Sequence, residues 1–471
     1  MDSTFKLLPG QALGADGKTR LDWYALARLA FPFMVNSAVQ AVLNTTDTWF
    51  VGRVSPAATA AIGVVYWPVL VFLLLLGGVG LSVQTVVAQA FGGRRYVRAA
   101  HATWTALWAS FLTAPLFAAL AFSGRSVFGL AGIEAQTLDL AVTYWQPRML
   151  GGWLAVAVWS VLGFFNGIGR PQLTLRIAVV VAIANVVLNQ LFMFNLGMGV
   201  AGSAWATNAA QLLGLVIGIC WFVGPAMRAR FRSHLTMRLH LGELWRQLRL
   251  GLPMGLMSAA DILGFAVFQL MEVRLGTVDG ASSQIVMMLT GFAYMPAVGI
   301  AMAGTTLVGQ SIGAHRKDWA GAVGTRIIAA ATLYMGAVGI LLAALGPWFL
   351  PWFTNAADPQ APQVVRLAGK LLWIAACYQL FDGLNIGSNL CLRGAGDVRL
   401  PALMVLALSW LVFLPLAHSL AFAPGAGWVG WLPQYGLGSL GGWTAALIYI
   451  LLLGVMLFSR WCSGAWRRIE L

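Results

Sequence analysis

About twelve apolar runs fill this chain, and each can supply the ~20 residues that a helix needs to cross a bilayer. They occupy residues 26–50, 61–90, 102–123, 138–164, 174–196, 203–224, 252–275, 283–310, 327–354, 364–392, 400–423 and 440–461. No other feature limits the fold so strongly. A backbone in lipid must satisfy its own hydrogen bonds, which leaves helices or closed barrels, and runs of this length require helices. Composition agrees, with 59% of residues apolar and 9% charged, where a soluble domain carries about 25%. A soluble chain of 471 residues would divide into several domains, and this one lacks the charge to coat even one. An ordinary soluble enzyme, a disordered chain and a disulfide scaffold are excluded. Pro32, Pro68, Pro253 and Pro296 fall inside runs, where a membrane helix accepts them as kinks.

Lys and Arg number 29 against 15 Asp and Glu, a net charge of +14. The surplus sits in short gaps between runs, so no nucleic-acid partner is expected. Alternate gaps hold Arg94, Arg95 and Arg98, then Arg170, then Arg228, Arg230, Arg232, Arg238, Arg246 and Arg249. Arg316 and Lys317 follow, then Arg393 and Arg399, then Arg467 and Arg468. The opposite gaps hold little beyond Arg53, Arg125 and Arg274. With an even number of spans, the positive-inside rule puts both termini in the cytoplasm. Residues up to Trp23 are polar and contain no signal-peptide core. The basic stretch 226–250 carries leucines among its arginines, which fits either an interfacial helix or a solvated linker. Cys220, Cys377, Cys391 and Cys462 show no C-x-x-C spacing and read as core thiols, without disulfides or metal.

The chain repeats itself in parallel. "RLAFPFMV" at 28–35 echoes "RLGLPMGL" at 249–256, pairing Pro32 with Pro253 at an offset of 221. "VAQAFGGRR" at 87–95 echoes "VGQSIGAHR" at 308–316, again at 221, pairing Gln89 with Gln310 and Gly92 with Gly313. "NGIGRP" at 166–171 echoes "RGAGDV" at 393–398, at 227. Six spans repeating as six keep their sidedness. The expected fold is an all-α polytopic membrane protein, with twelve transmembrane helices in two six-helix lobes related by a pseudo-twofold along the membrane normal. Such lobes leave a cavity between them. The expected divisions are a cytoplasmic segment 1–25, a first lobe 26–224, a linker 225–250, a second lobe 251–461 and a cytoplasmic tail 462–471.

Ionisable groups inside spans are expensive and therefore informative, at about 2.5–3.5 kcal/mol for a mid-helix Asp. Three carboxylates lie well inside runs: Asp47, Asp261 and Asp382. Asp47 has Asn44, Thr45, Thr46 and Thr48 around it near the end of its run, so a helix end meeting headgroups is the competing account. Asp261 stands eight residues after Pro253, with apolar neighbours on both sides. Gln379, Asn385, Ser388 and Asn389 join Asp382 at helical spacings and read as the polar lining of a cavity. Glu272 sits at a helix end beside Arg274 and reads as an interfacial pair. Asn185 and Asn189 lie one turn apart, and Thr207, Asn208 and Gln211 give the next span a polar face. Interhelical hydrogen bonding accounts for these groups as well as a binding role does. The chain has no H-E-x-x-H, G-x-S-x-G or Walker A sequence, so a hydrolase or an ATP-driven pump lacks its parts.

Together "DTWFVGR" in span 1, "AQAFGG" after span 2, "NGIGRP" after span 4, "NVVLNQLF" in span 5 and "QLFDGLN…LRGAGD" across span 10 resemble a known family. They are similar to the multidrug and toxic compound extrusion (MATE) transporters, in the NorM-like bacterial branch, over nearly the whole chain. The resemblance implies antiport of cationic or amphipathic drugs against H⁺ or Na⁺ by alternating access. It implies no cofactor beyond the coupling ion and no enzyme activity. It also implies a monomer among the lipids of a bacterial inner membrane. The family's acidic positions in spans 1, 7 and 10 match Asp47, Asp261 and Asp382, with Asp261 standing where Glu is commoner. Tyr294 falls at the place of an aromatic residue that joins the cation site. Another branch has Asp where this chain has Asn189. The expected cation-coupling set is Asp261, Asp382 and Tyr294, with Na⁺ possible at the two carboxylates. Asp47, Asn185, Asn189 and Thr207 are expected to bind substrate or a proton in the first lobe, and Gln379, Asn385 and Asn389 to line the cavity. A flippase of lipid-linked saccharides, expected to have many cationic cavity residues where this cavity reads as acidic, and a membrane channel are the alternatives.

Overall fold

The computed structural model describes residues 10–13, 19–129, 134–355 and 357–469. Much of the expected segment 1–25, and residues 470–471 of the expected tail, lie outside these. The first lobe comprises α1 (Trp23–Gly52), α2 (Pro56–Gly92), α3 (Tyr96–Phe122), α4, α5 (Pro171–Asn189) and α6 (Gly199–Phe222). Helix α4 is two pieces, Ala135–Leu150 and Gly152–Gly167, bent by 44°. The second lobe comprises α7 (Leu241–Leu275), α8 (Thr277–Gly313), α9 (Lys317–Phe349), α10 (Ala361–Ala395), α11 (Arg399–Ala421) and α12 (Gly438–Cys462). Eleven single helices are long and apolar enough to cross a membrane, and α4 taken as one span makes twelve among the described residues. A short antiparallel pair, β1 (Gln11–Leu13) and β2 (Thr19–Leu21), precedes α1 as a small departure from the all-helical expectation.

Local sequence sets the helix starts. Asp22 caps α1 by accepting from the Ala25 N–H at 3.0 Å, and Ser55 caps α2 by accepting from Ala58 at 3.0 Å. Pro56 and Pro171 open α2 and α5, where a missing N–H costs nothing. Helix α5 runs into a π-helical turn at Gln190–Asn195, and α11 contains another at Leu408–Phe413. Each lobe thus carries one in its fifth helix, a type of irregularity frequent at functional sites.

The parallel repeat is visible in the contacts between lobes. Thr85 Oγ1 donates to the Arg393 carbonyl at 3.0 Å, and Thr306 Oγ1, its counterpart, donates to the Asn166 carbonyl at 3.1 Å. Gln89 Nε2 donates to the Gly394 carbonyl at 3.1 Å, and Gln310 Nε2 to the Gly167 carbonyl at 2.8 Å. Between these pairs α2 and α8 cross so closely that a Cβ on Gly92 would lie 1.9 Å from the Gln310 carbonyl oxygen. A Cβ on Gly313 would lie 1.9 Å from that of Gln89. The offsets 221 and 227 therefore relate contacts as well as letters. All of these contacts lie at the arginine-rich end, and they seal the lobes together there.

Within the stretch 226–250, a short helix (Pro225–Phe231) is followed by turns, and α7 already begins at Leu241. The connector is pinned to α3. Trp104 Nε1 donates to the Ser233 carbonyl at 2.7 Å and Trp108 Nε1 to that of Met237 at 2.7 Å. Of the four cysteines, all free, only Cys391 is buried; Cys220, Cys377 and Cys462 are exposed. The reading of core thiols holds for one of them, because an apolar run in a membrane has an outward face that packs against lipid.

Candidate functional site

A cavity of about 560 Å³ opens between the lobes, walled mostly by the first. Asp47 of α1 faces it, half-buried. Its Oδ1 accepts from Asn189 Nδ2 at 2.6 Å, and its Oδ2 accepts from Thr207 Oγ1 at 3.3 Å. Asn189 also donates to Asn185 Oδ1 at 3.0 Å, and Asn185 Nδ2 donates to Thr207 at 3.3 Å. Asn185 and Asn189 are fully buried, and the π-helical turn begins immediately after Asn189. The expected first-lobe group is thus one hydrogen-bonded cluster, built from α1, α5 and α6. Asp47 belongs to it rather than to a headgroup-facing helix end.

The cavity is not uniformly acidic. Arg148 of α4 and Arg393 of α10 share its wall with Asp47. Arg148 Nη1 donates to Asn208 Oδ1 at 3.5 Å, and its charge acts on Asp47. Arg393 donates from Nη2 to the Leu81 carbonyl, while its Nε has no hydrogen-bond partner among the described residues. An apolar cleft of about 570 Å³ between α1 and α8 shares Ala41 and Met295 with the polar cavity. A polar and an apolar surface are therefore continuous.

The second lobe arranges its carboxyls differently. Asp261 Oδ1 accepts from the Tyr449 hydroxyl at 3.0 Å, and Asp382 Oδ1 accepts from Asn385 Nδ2 at 3.1 Å. Asp261 and Asp382 act on each other electrostatically, and Tyr294, Tyr378 and Tyr449 lie within reach of both. Tyr378 and Tyr449 are buried, and Tyr294 is 43% exposed. This cluster of two carboxyls and three phenols does not line the 560 Å³ cavity. Tyr378 and Tyr449 went unread in the sequence, although a phenol inside an apolar run was a signal in plain view.

Three expected positions are placed otherwise. Gln379 does not line the cavity; it is 1% exposed and packs against Gly339 of α9, inside the second lobe. Asn385 turns to Asp382, and Asn389 Nδ2 donates to Met257 Sδ at 3.7 Å. From α10 the cavity receives Leu390 and Arg393 instead, because α10 turns its polar stripe toward its own lobe. Glu272 is no interfacial pair with Arg274. It is 1% exposed, and no ion pair joins the two among the described residues.

Two six-helix lobes around a polar cavity define a multi-pass membrane transporter. The MatE family model matches residues 32–191 and 253–418, one block in each lobe. A probable multidrug resistance protein NorM of Mesorhizobium japonicum is 28% identical over 467 residues, covering 93% of each chain. Another, from Pseudomonas aeruginosa, is 31% identical over 424 residues, covering 86% of this chain and 84% of that one. An outward-facing multidrug resistance MATE transporter of the MOP superfamily superposes with a TM-score of 0.78 at 18% identity, over 93% of this chain and 96% of that one. A MOP-superfamily transporter from Pyrococcus furiosus, described as having a binding pocket of reverse polarity, gives 0.79 at 19%, over 94% and 96%. The chain belongs to the MATE family, in its NorM-like bacterial branch, and is a multidrug efflux transporter. Its relatives are transporters rather than enzymes.

Proposed function

We propose that the protein exchanges cationic and amphipathic drugs for a monovalent cation, H⁺ or Na⁺, by rocking its two lobes. The coupling ion is its only cofactor. It works as a monomer among the lipids of a bacterial inner membrane, with both termini and the arginine-rich end in the cytoplasm. The observation that carries this reading is Asp47. Its hydrogen-bond donors, Asn189 and Thr207, are neutral, and it faces a cavity whose arginine-rich end is sealed. A carboxylate so placed attracts a cationic drug, and the adjoining cleft takes the drug's apolar part. Asp261 and Asp382 supply oxygens for the ion in the second lobe, with Tyr294 beside them. A carboxyl removed from water can also carry a proton near neutral pH. Exchange follows when drug and ion each favour a different lobe arrangement.

The test is transport by the purified protein in liposomes under a pH gradient alone and a Na⁺ gradient alone. Saturable ethidium movement driven by at least one gradient is expected. Movement driven by neither overturns the reading, and flux that never saturates indicates a channel. One observation favours a second reading. Arg148 and Arg393 on the cavity wall suit an anionic headgroup, as a flippase of lipid-linked saccharides requires. Movement of such a lipid without ethidium transport would select it.

A further inference from the structure

The second lobe holds a carboxyl that neither the cavity nor the Asp261–Asp382 cluster uses. Glu272 lies eleven residues after Asp261 on α7, at the end away from the arginine-rich loops. It is 1% exposed, and neither carboxyl oxygen has a hydrogen-bond partner among the described residues. Leaving a carboxylate dry and unpaired is costly, so such a group calls for a counter-ion or a proton.

Among the described residues, its surroundings contain oxygens and no cation. Ser283 of α8 and Ser439 of α12 lie close enough to act on the carboxyl, yet neither completes a hydrogen bond with it. Both are fully buried or nearly so, and Ser439 Oγ is itself unpartnered. Ser283 Oγ accepts from Trp443 Nε1 at 2.9 Å, which leaves a lone pair free. Asp279, in the first turn of α8, accepts from the Ser439 N–H at 2.8 Å, so its charge is answered by the start of α12. Room for the carboxyl is provided by Gly442, where a Cβ would stand 2.1 Å from Glu272 Oε1.

Hydroxyl and carboxyl oxygens, without nitrogen or sulfur, suit a hard cation. One unanswered negative charge is balanced by a monovalent ion, whereas a divalent ion would leave an excess. The place is separate from Asp261. Eleven residues are about 16 Å along a helix, and Phe265 and Phe268 occupy the intervening turns on the same face. Phe268 packs there against Phe413 and Trp443.

We propose that Glu272, Ser283 and Ser439 form a Na⁺ site at the end of the second lobe away from the arginine-rich loops, distinct from the Asp261–Asp382 pair. The test uses the full-length protein carrying Asp261→Asn and Asp382→Asn, which removes the proposed ion-binding pair and leaves, as the lobe's other buried carboxylate, Asp397, which is paired with Arg460. Binding of radioactive Na⁺ is measured at fixed pH, with choline as the replacing cation. Saturable binding is expected in this background, weakened at least about tenfold by adding Glu272→Gln. Gly442→Ala, whose methyl would take the space of Oε1, is expected to do the same. It serves as the test if Glu272→Gln does not fold. Binding that survives both changes overturns the proposal. So does the absence of saturable binding in the starting background, which would leave the drug-exchange reading untouched.

Discussion

The two lobes share a backbone plan and differ in where they keep their charge. In the first lobe one carboxylate, Asp47, is held by an amide and a hydroxyl on the wall of an open cavity. In the second, two carboxyls lie among phenols and away from that cavity. The repeat does not carry these groups. Phe268 stands 221 residues after Asp47, Gln40 stands 221 before Asp261, and Ala155 stands 227 before Asp382. What the repeat does carry is the seal: Thr85 and Gln89 in one lobe, Thr306 and Gln310 in the other. Symmetry is therefore kept at the seal and lost at the carboxyls, as the proposed division of drug and ion between the lobes requires. A hydrogen bond to a backbone carbonyl works the same in both copies, whereas a drug and a small ion need different surroundings.

The sharpest way to break this comparison is to remove the carboxyls lobe by lobe. Asp261→Asn and Asp382→Asn are each expected to abolish ion-driven efflux while leaving expression intact, since a neutral amide inserts more cheaply than a charge. Asp47→Asn is expected to lose ethidium binding instead and to keep the ion's own binding. Release of bound ethidium by H⁺ or Na⁺, measured on the purified variants, decides the matter. If Asp47→Asn alone loses the ion response while Asp261→Asn keeps it, the lobes' roles are reversed.

The seal can be tested for the symmetry that the contacts display. Gly92→Ala and Gly313→Ala would each drive a methyl against a carbonyl oxygen of the opposite lobe. Overpacking of this kind costs about 1–3 kcal/mol, a shift of roughly 5- to 150-fold between lobe arrangements. Spin-label distances across the arginine-rich end should lengthen in both variants and by similar amounts. A shift in one alone would show that the seal is held mainly from one side.

A smaller effect is expected at Asn189, which donates to Asp47 at 2.6 Å. A hydrogen bond to a charged group contributes about 1.5–3 kcal/mol. Asn189→Ala should weaken ethidium binding by roughly tenfold or more, read by equilibrium dialysis, without changing Na⁺ affinity. Equal losses in both would mean that the amide supports the whole molecule rather than the first-lobe site.

Much of this was legible in the sequence, and the reasons differ by feature. Spans are written in composition, and the repeat survives in short motifs such as those around Gln89 and Gln310. The three deep carboxylates declared themselves by their cost. What a helix faces is harder to read. The stripe Gln379–Asp382–Asn385–Asn389 reads as one face of α10, but a single helix does not say which neighbour that face meets. Arg148 went unread although it lies within the run 138–164, where a cation is as expensive as Asp47. Glu272 was misjudged for a related reason. Nearness to a helix end suggested water, whereas Gly442 on a helix 170 residues away closes over it.

The finest test of the division between lobes is a single oxygen. The Tyr449 hydroxyl donates to Asp261 Oδ1 at 3.0 Å, while the ring stacks on Phe413 with centroids 5.0 Å apart. Tyr449→Phe removes the hydroxyl and keeps the stacked ring, so the helix packing around it should hold. A net hydrogen bond is worth about 1 kcal/mol, or roughly fivefold in an equilibrium. Because the hydroxyl holds the carboxylate in place, its loss should weaken ion binding by that factor. Ethidium affinity, proposed to be set in the other lobe, should stay unchanged, and both can be read on one preparation. An equal loss of ethidium affinity would show that the second-lobe cluster reaches the drug site, and the separation of roles would have to be given up.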